Sequence, residues 1–164
     1  MIFIGLGANL PSPRHGPPRA TLEAALSALE ARGLGIRRRS RWYRSAPQPP
    51  SDQPWFVNGV AELAPGPEPA EILALLHRVE ADFGRVRRER NEARLLDLDL
   101  LAYDERVSGP GEQPELPHPR MAERGFVLVP LAELAPGWRH PQSGLTVEAL
   151  IGSLPPESLP EPLE

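Results

Sequence analysis

The sequence predicts an α+β fold, an antiparallel sheet with helices packed on it. Three observations carry that expectation. Two stretches place apolar residues at i, i+3, i+4 and i+7; several short runs are apolar or alternating in the manner of strands; and Pro/Gly-rich segments punctuate the intervals between them. The chain has 164 residues, 22 of them Pro and 14 Gly, a length that suits one domain with a sizeable core.

Residues 1–7 form an apolar run ending in Gly5-Leu6-Gly7, which reads as a buried strand entering a turn. The proline-rich residues 11–18 follow as a loop. Leu22, Ala25, Leu26 and Leu29 give a helix over 19–32 one apolar face, and Gly33 closes it. Leu34, Ile36 and residues 40–43 read as a second strand with arginines on its wet face. Residues 46–54 contain four prolines and form a loop. A third strand runs over 55–63, and a turn over 64–68 leads to Pro69, which suits the first turn of a second helix. Ile72, Leu75, Leu76, Val79 and Phe83 supply that helix with its 3.6-residue period, and Gly84 ends it. The arginine-rich residues 85–94 lead into a fourth strand over 95–103. Short helical stretches are expected near 129–134 and 147–154. The order strand, helix, strand, strand, helix, strand is the split βαβ pattern of ferredoxin-like folds, βαββαβ, with both helices on one face and here a C-terminal extension. The expected organisation is a single domain over residues 1–154 and a disordered tail over 155–164.

Composition removes whole chemistries. All 18 basic residues are arginine, and Cys is absent. Without Lys there is no Walker A loop and no Schiff base to a carbonyl; without Cys there is no thiolate nucleophile, iron–sulfur cluster or cysteine zinc site. No apolar run reaches the roughly 18–20 residues of a transmembrane helix, and residues 1–10 lack a basic leader region, so a cytoplasmic protein without a membrane partner is expected.

Asp97-Leu98-Asp99 lies inside the fourth apolar strand. Side chains at i and i+2 of a strand point the same way, roughly 6.6 Å apart along it, so both carboxylates project from one face while Leu96, Leu98 and Leu100 enter the core. Two like charges there call for cations, and Mg²⁺ suits them because it takes oxygen ligands and shares them with substrate phosphates. A solvated strand face with two ordinary acids is the bland alternative. Just upstream, Arg85, Arg87, Arg88, Arg90 and Arg94 stand against Glu89 and Glu92. Such a run is usually a solvated loop, but beside paired carboxylates it matches the needs of a polyphosphate, whose oxygens arginine binds bidentately. His118, held between Pro117 and Pro119, is either a phosphate ligand or a surface turn histidine. Gly5-Leu6-Gly7-Ala8-Asn9-Leu10 begins like a dinucleotide-binding fingerprint but lacks its third glycine. Trp42, Tyr43, Trp55 and Phe56 stack on a planar ring or pack in the core, and Asn58 offers an amide to a heterocycle.

Taken together these pieces resemble the 6-hydroxymethyl-7,8-dihydropterin pyrophosphokinase family of the folate pathway. The resemblance rests on residues 7–10; Trp42-Tyr43-Arg44-Ser45; residues 52–58; Glu80 with Gly84-Arg85-Val86-Arg87; residues 94–100; and Leu116-Pro117-His118-Pro119-Arg120-Met121 with Arg124-Gly125-Phe126. It implies transfer of pyrophosphate from ATP to the pterin hydroxymethyl oxygen with release of AMP. It further implies that Asp97 and Asp99 hold two Mg²⁺ ions and that Arg85 and Arg94 stabilise the transferring group. Glu80, Arg87, His118 and Arg124 would meet ATP, and Ser45, Phe56, Asn58 and Phe126 would line the pterin pocket. Phe56 stands where the family commonly has Tyr, keeping the ring without the hydroxyl. The partners so implied are ATP and the pterin, acting on a monomer, with no nucleic acid.

Two other readings compete. An Asp-x-Asp pair with a glycine-rich strand end also serves Mg²⁺-dependent nucleotidyl transfer. A ferredoxin-like sheet rich in arginine and aromatics could bind RNA, although the net charge of −4 and the lack of an RNP1-like aromatic pattern weigh against it.

Overall fold

A computed structural model describes residues 1–47, 49–84 and 95–163. The elements are strand β1 (Ile2–Ala8), helix α1 (Pro18–Ala31), strands β2 (Ile36–Arg39), β3 (Tyr43–Ser45) and β4 (Phe56–Leu63), helix α2 (Pro69–Asp82), strand β5 (Asp97–Tyr103), helices α3 (Gly125–Leu134) and α4 (Val147–Gly152), and strand β6 (Glu161–Pro162). All strand pairs are antiparallel, in the order β5-β1-β4-β3-β6, with β2 also on β4. Both long helices start as local chemistry requires. Each has Pro in its first turn, and α2 has a reciprocal cap between Glu68 and Glu71 that satisfies exposed backbone N–H groups.

Alternation on the central strands makes two cores. Ile2, Ile4, Leu6 and Ala8 of β1, with Leu98 and Leu100 of β5, face the apolar stripes of α1 and α2, where Leu22, Leu29, Ile72 and Leu76 are fully buried. Phe3, Val60, Leu101 and Ala102 turn the other way, against Val127, Leu128 and Leu131 of α3. Register slips between Phe3 and Ile4, so that Leu101 and Ala102 both serve this second core, as a β-bulge does when it adds one residue to a strand. Helices α1 and α2 thus share one face, as the sequence predicts, and α3 of the C-terminal extension covers part of the other.

Three expectations differ. The second predicted strand is two. Ser40 accepts the Val60 N–H with its hydroxyl at 3.0 Å and donates its own N–H to the Val60 carbonyl at 2.9 Å. This break turns the Trp42 ring onto Gly59, where an added Cβ would lie 2.6 Å from it. Helix α3 starts at Gly125, earlier than the expected 129, with Pro130 inside it. The tail read as disordered instead has a tight turn at Pro156–Ser158 and strand β6 on β3. Among the described residues no helix is long and apolar enough to cross a membrane.

Candidate active site

The site is built on the half of the second sheet face that α3 leaves open. Its floor is set by strand register: Gly5 lies opposite Asp99, and Gly7 lies between Asp97 on one side and Asn58 on the other. Side chains at paired positions share a face, so two glycines between carboxylates and an amide leave the backbone bare there. The room is tight at Gly7, where an added Cβ would come 2.8 Å from Asn58 Oδ1. Asn58 is buried and donates from Nδ2 to Ser45 Oγ at 2.9 Å. That bond fixes the amide orientation and ties β4 to the end of β3.

Above this floor lies a cavity of ≈ 380 Å³, within the usual range for small-molecule sites. Ser45, Phe56, Asn58, Asp97, Arg124 and Phe126 all line it, so the structure brings four predicted pterin residues together with one predicted metal ligand and one predicted ATP residue. Asp99 lines an adjoining recess with Gly5, Gly7 and Phe126. Arg124, just before α3, places its guanidinium 5.5 Å above the Phe126 ring and Nη1 3.9 Å from Asp99 Oδ2. His118 Nε2 stands 3.8 Å from Asp99 Oδ1. The backbone holds this histidine, whose N–H donates to the Leu101 carbonyl at 2.8 Å while Nδ1 accepts the Arg120 N–H at 3.1 Å. Burial, and then the Arg124 guanidinium, push its pKa down to about 4, against the opposing pull of Asp97. At neutral pH the ring is therefore uncharged, and with Nδ1 accepting, its proton sits on Nε2 toward Asp99.

Glu80 is placed differently. It is 3% exposed, does not line the cavity, and accepts the Leu98 N–H at 2.7 Å. Its carboxylate thus fastens α2 to the strand between the two aspartates. Arg85, Arg87, Arg88, Arg90 and Arg94 lie outside the described residues.

Sequence reasoning missed the glycine floor. Gly5-x-Gly7 was legible as a strand pair at period two, the same period as Asp97-x-Asp99, rather than as a broken fingerprint. It also missed Gln53, which lines the cavity and accepts from buried Asn9 Nδ2 at 3.0 Å. Among the described residues no three metal-ligating side chains cluster. Two carboxylates on one strand face nonetheless fit Mg²⁺, which is usually held by one or two such groups and completed by water and phosphate.

A family model described as 7,8-dihydro-6-hydroxymethylpterin-pyrophosphokinase (HPPK) matches residues 3–136. A 2-amino-4-hydroxy-6-hydroxymethyldihydropteridine pyrophosphokinase from Synechocystis is 43% identical, covering 90% of this chain and 73% of its own. That of Pseudomonas aeruginosa is 39% identical over 96% of this chain and 94% of its own. In solved structures the fold is similar to the crystal structure of a Plasmodium falciparum HPPK-DHPS triple mutant, with a TM-score of 0.68 at 14% identity, over 92% of this chain and 43% of that one. The chain thus spans less than half of that larger protein, and the likeness is one of fold. With the family's model matching most of this chain and a relative 39% identical nearly end to end, the chain belongs to the 7,8-dihydro-6-hydroxymethylpterin-pyrophosphokinase family.

Proposed function

We propose that this cavity performs the family's reaction, transfer of pyrophosphate from ATP to the hydroxymethyl oxygen of 6-hydroxymethyl-7,8-dihydropterin, a step of folate biosynthesis. The observation that carries the reading is the shared sheet face. The paired carboxylates Asp97 and Asp99 adjoin, across a glycine floor, a cavity lined by Ser45, Asn58 and the Phe126 ring. One end suits a metal-bound triphosphate and the other a flat heterocycle.

The bond balance is simple. The hydroxymethyl oxygen attacks the β-phosphorus, the bond from that phosphorus to the α,β-bridging oxygen breaks, AMP leaves and the hydroxyl proton is lost. No side chain need form a covalent intermediate, so the protein's task is alignment and charge stabilisation. Asp97 and Asp99 would hold Mg²⁺, two ions by the family resemblance, which supplies neutralisation of triphosphate charge. Arg124 and the neutral His118, both close to Asp99, face the same phosphates, the first as a cation and the second as a hydrogen-bond donor from Nε2. The family motif gives Arg85 and Arg94 to the transferring group and Arg87 to ATP. Asn58, locked by Ser45, presents donor and acceptor to the heterocycle edge, while Phe56 and Phe126 bound it with rings. Glu80 supports the ATP end indirectly, by fixing the backbone at Leu98. On this reading the chain acts as a cytoplasmic monomer on its two small substrates, and neither nucleic acid nor membrane takes part.

Incubation with Mg²⁺ and ATP, with and without the pterin, tests this. AMP and a pterin diphosphate, formed only when pterin is present, are expected; pyrophosphate release would mean nucleotidyl transfer, and ADP would mean transfer of a single phosphoryl group.

A further inference from the structure

One wall of the cavity lies beyond residue 136, where the family match ends. Leu154, Pro155 and Ser158 line the same cavity as Ser45 and Phe126. Leu154 ends the stretch expected to be helical, Pro155 and Ser158 belong to the tail expected to be disordered, and the segment is held at both ends. At one end Leu154 packs against the second core. The turn that follows crosses the start of α3 so closely that a Cβ on Gly125 would come 3.0 Å from the Ser158 carbonyl oxygen and 3.1 Å from the Leu159 side chain. The Ser158 hydroxyl closes this turn by donating to the Pro155 carbonyl at 2.7 Å.

At the other end Pro160 is buried and β6 pairs with β3. Arg44 donates from Nε and Nη2 to Glu161 Oε2 at 3.1 and 2.8 Å, and Leu163 N–H donates to the Trp42 carbonyl at 2.9 Å. The strand that receives this anchor ends in Ser45, the residue that orients Asn58. Wall and floor are thus tied to one strand.

The chemistry of the wall is shape without polarity. Leu154 and Pro155 have no side-chain donor or acceptor, and the Ser158 hydroxyl is engaged within its own turn. Polar groups for a heterocycle edge come from other lining residues, Ser45, Gln53 and Asn58 among them. We propose that Leu154, Pro155 and Ser158 form a specificity-determining wall for the heterocycle, setting by steric limit the size of ring and substituents that the cavity admits. The proposal rests on the pyrophosphokinase reading above. A wall of this kind discriminates by clash, and because it stands apart from the recess at Asp99, it acts on the pterin and not on ATP.

The test uses the full chain, with pterin binding measured directly by equilibrium fluorescence and KM measured for both substrates. Ser158→Phe is expected to raise Kd and KM for the pterin at least about tenfold while moving KM for ATP less than about twofold. Glu161→Arg, which releases the anchor, should also weaken pterin binding, and adding Arg44→Glu should restore it. Glu157→Phe, exposed in the same turn, should bind pterin as the unaltered chain does. Leu154→Ala should accept a pterin with a bulkier alkyl substituent that the unaltered chain rejects. Unchanged pterin binding by folded Ser158→Phe would overturn the proposal, as would pterin and ATP constants that move together. If the unaltered chain itself bound no pterin, the pyrophosphokinase reading would fall; if it bound pterin and Ser158→Phe bound equally well, only the wall would.

Discussion

The two faces of the sheet are made by the same strands and have opposite properties. On the face toward α1 and α2, β1 presents Ile2, Ile4, Leu6 and Ala8, all buried in one apolar core. On the other it presents Phe3, buried in the second core with α3, then Gly5 and Gly7, which line the recess beside Asp99. Beside the two glycines stand Asp99, Asp97 and Asn58. One face is closed by side chains and holds the fold together; the other is emptied of them at one end so that a ligand can supply the missing contacts. A single run of residues encodes both, because successive strand side chains alternate.

This contrast is sharpest at Asp97 and Leu98, which are neighbours in sequence and opposite in face. Asp97→Ala or Asp99→Ala is expected to cut turnover by about 10³-fold, since charge on the triphosphate loses its counter-ion site, with little change in thermal unfolding. Leu98→Ala is expected to cost about 2–5 kcal/mol of stability by leaving a cavity in a close-packed core, as measured by urea unfolding. If Asp97→Ala unfolded the protein, or either aspartate variant kept full turnover, the division of labour between the faces would be wrong.

The glycines allow a finer comparison. At Gly59 an added methyl meets the Trp42 ring, itself 5% exposed, so Gly59→Ala should cost about 1–3 kcal/mol through overpacking. At Gly7 the added methyl meets the Asn58 amide instead. Gly7→Ala should therefore raise KM for the pterin, by about tenfold if it displaces the bond to Ser45, which corresponds to ~1.4 kcal/mol. A Gly7→Ala protein with native pterin KM would show that the amide need not be held where it is.

The smallest effect is expected on the periphery of the closed face. Glu23 of α1 accepts Arg39 Nη1 at 2.7 Å and Trp42 Nε1 at 2.7 Å, and the Arg39 guanidinium, with help from Trp42, lowers its pKa from 4.5 to about 2. A depressed carboxylate pKa contributes stability above the unfolded-state value and loses it as pH falls, here from about 4.5 toward about 2. The carboxylate is 44% exposed, so solvent screening limits the contribution to below about 1 kcal/mol. Unfolding measured between these pH values should show a shallower slope for Glu23→Gln than for the unaltered chain.

How far the molecule was legible in its sequence depended on whether one signal or two acted at a residue. The helices over 18–31 and 69–82 and the facing of Asp97 and Asp99 followed from period alone. The bulge at Leu101 did not, because Leu100, Leu101, Ala102 and Tyr103 are all buried and an unbroken apolar run hides a change of face. The break between β2 and β3 depends on Ser40 taking the place of a backbone partner, which no propensity reports. In the site, Ser45, Asn58 and Phe126 were found through motif resemblance, and the cavity gathers them. The C-terminal wall was hidden by its prolines, which read as disorder but serve as the turn and edge strand of an ordered segment.

The strand that secures this wall has a consequence for how the protein is made. Arg44 and Glu161 are 117 positions apart, so their contact waits until residue 161 has been made, after every strand of the sheet core. On the ribosome, the sheet core of β1, β4 and β5 can assemble while residues 154–163 are still inside the exit tunnel. The cavity gains its final wall only when residues 154–163 emerge and β6 adds to the sheet, so a nascent chain would be folded before it is selective.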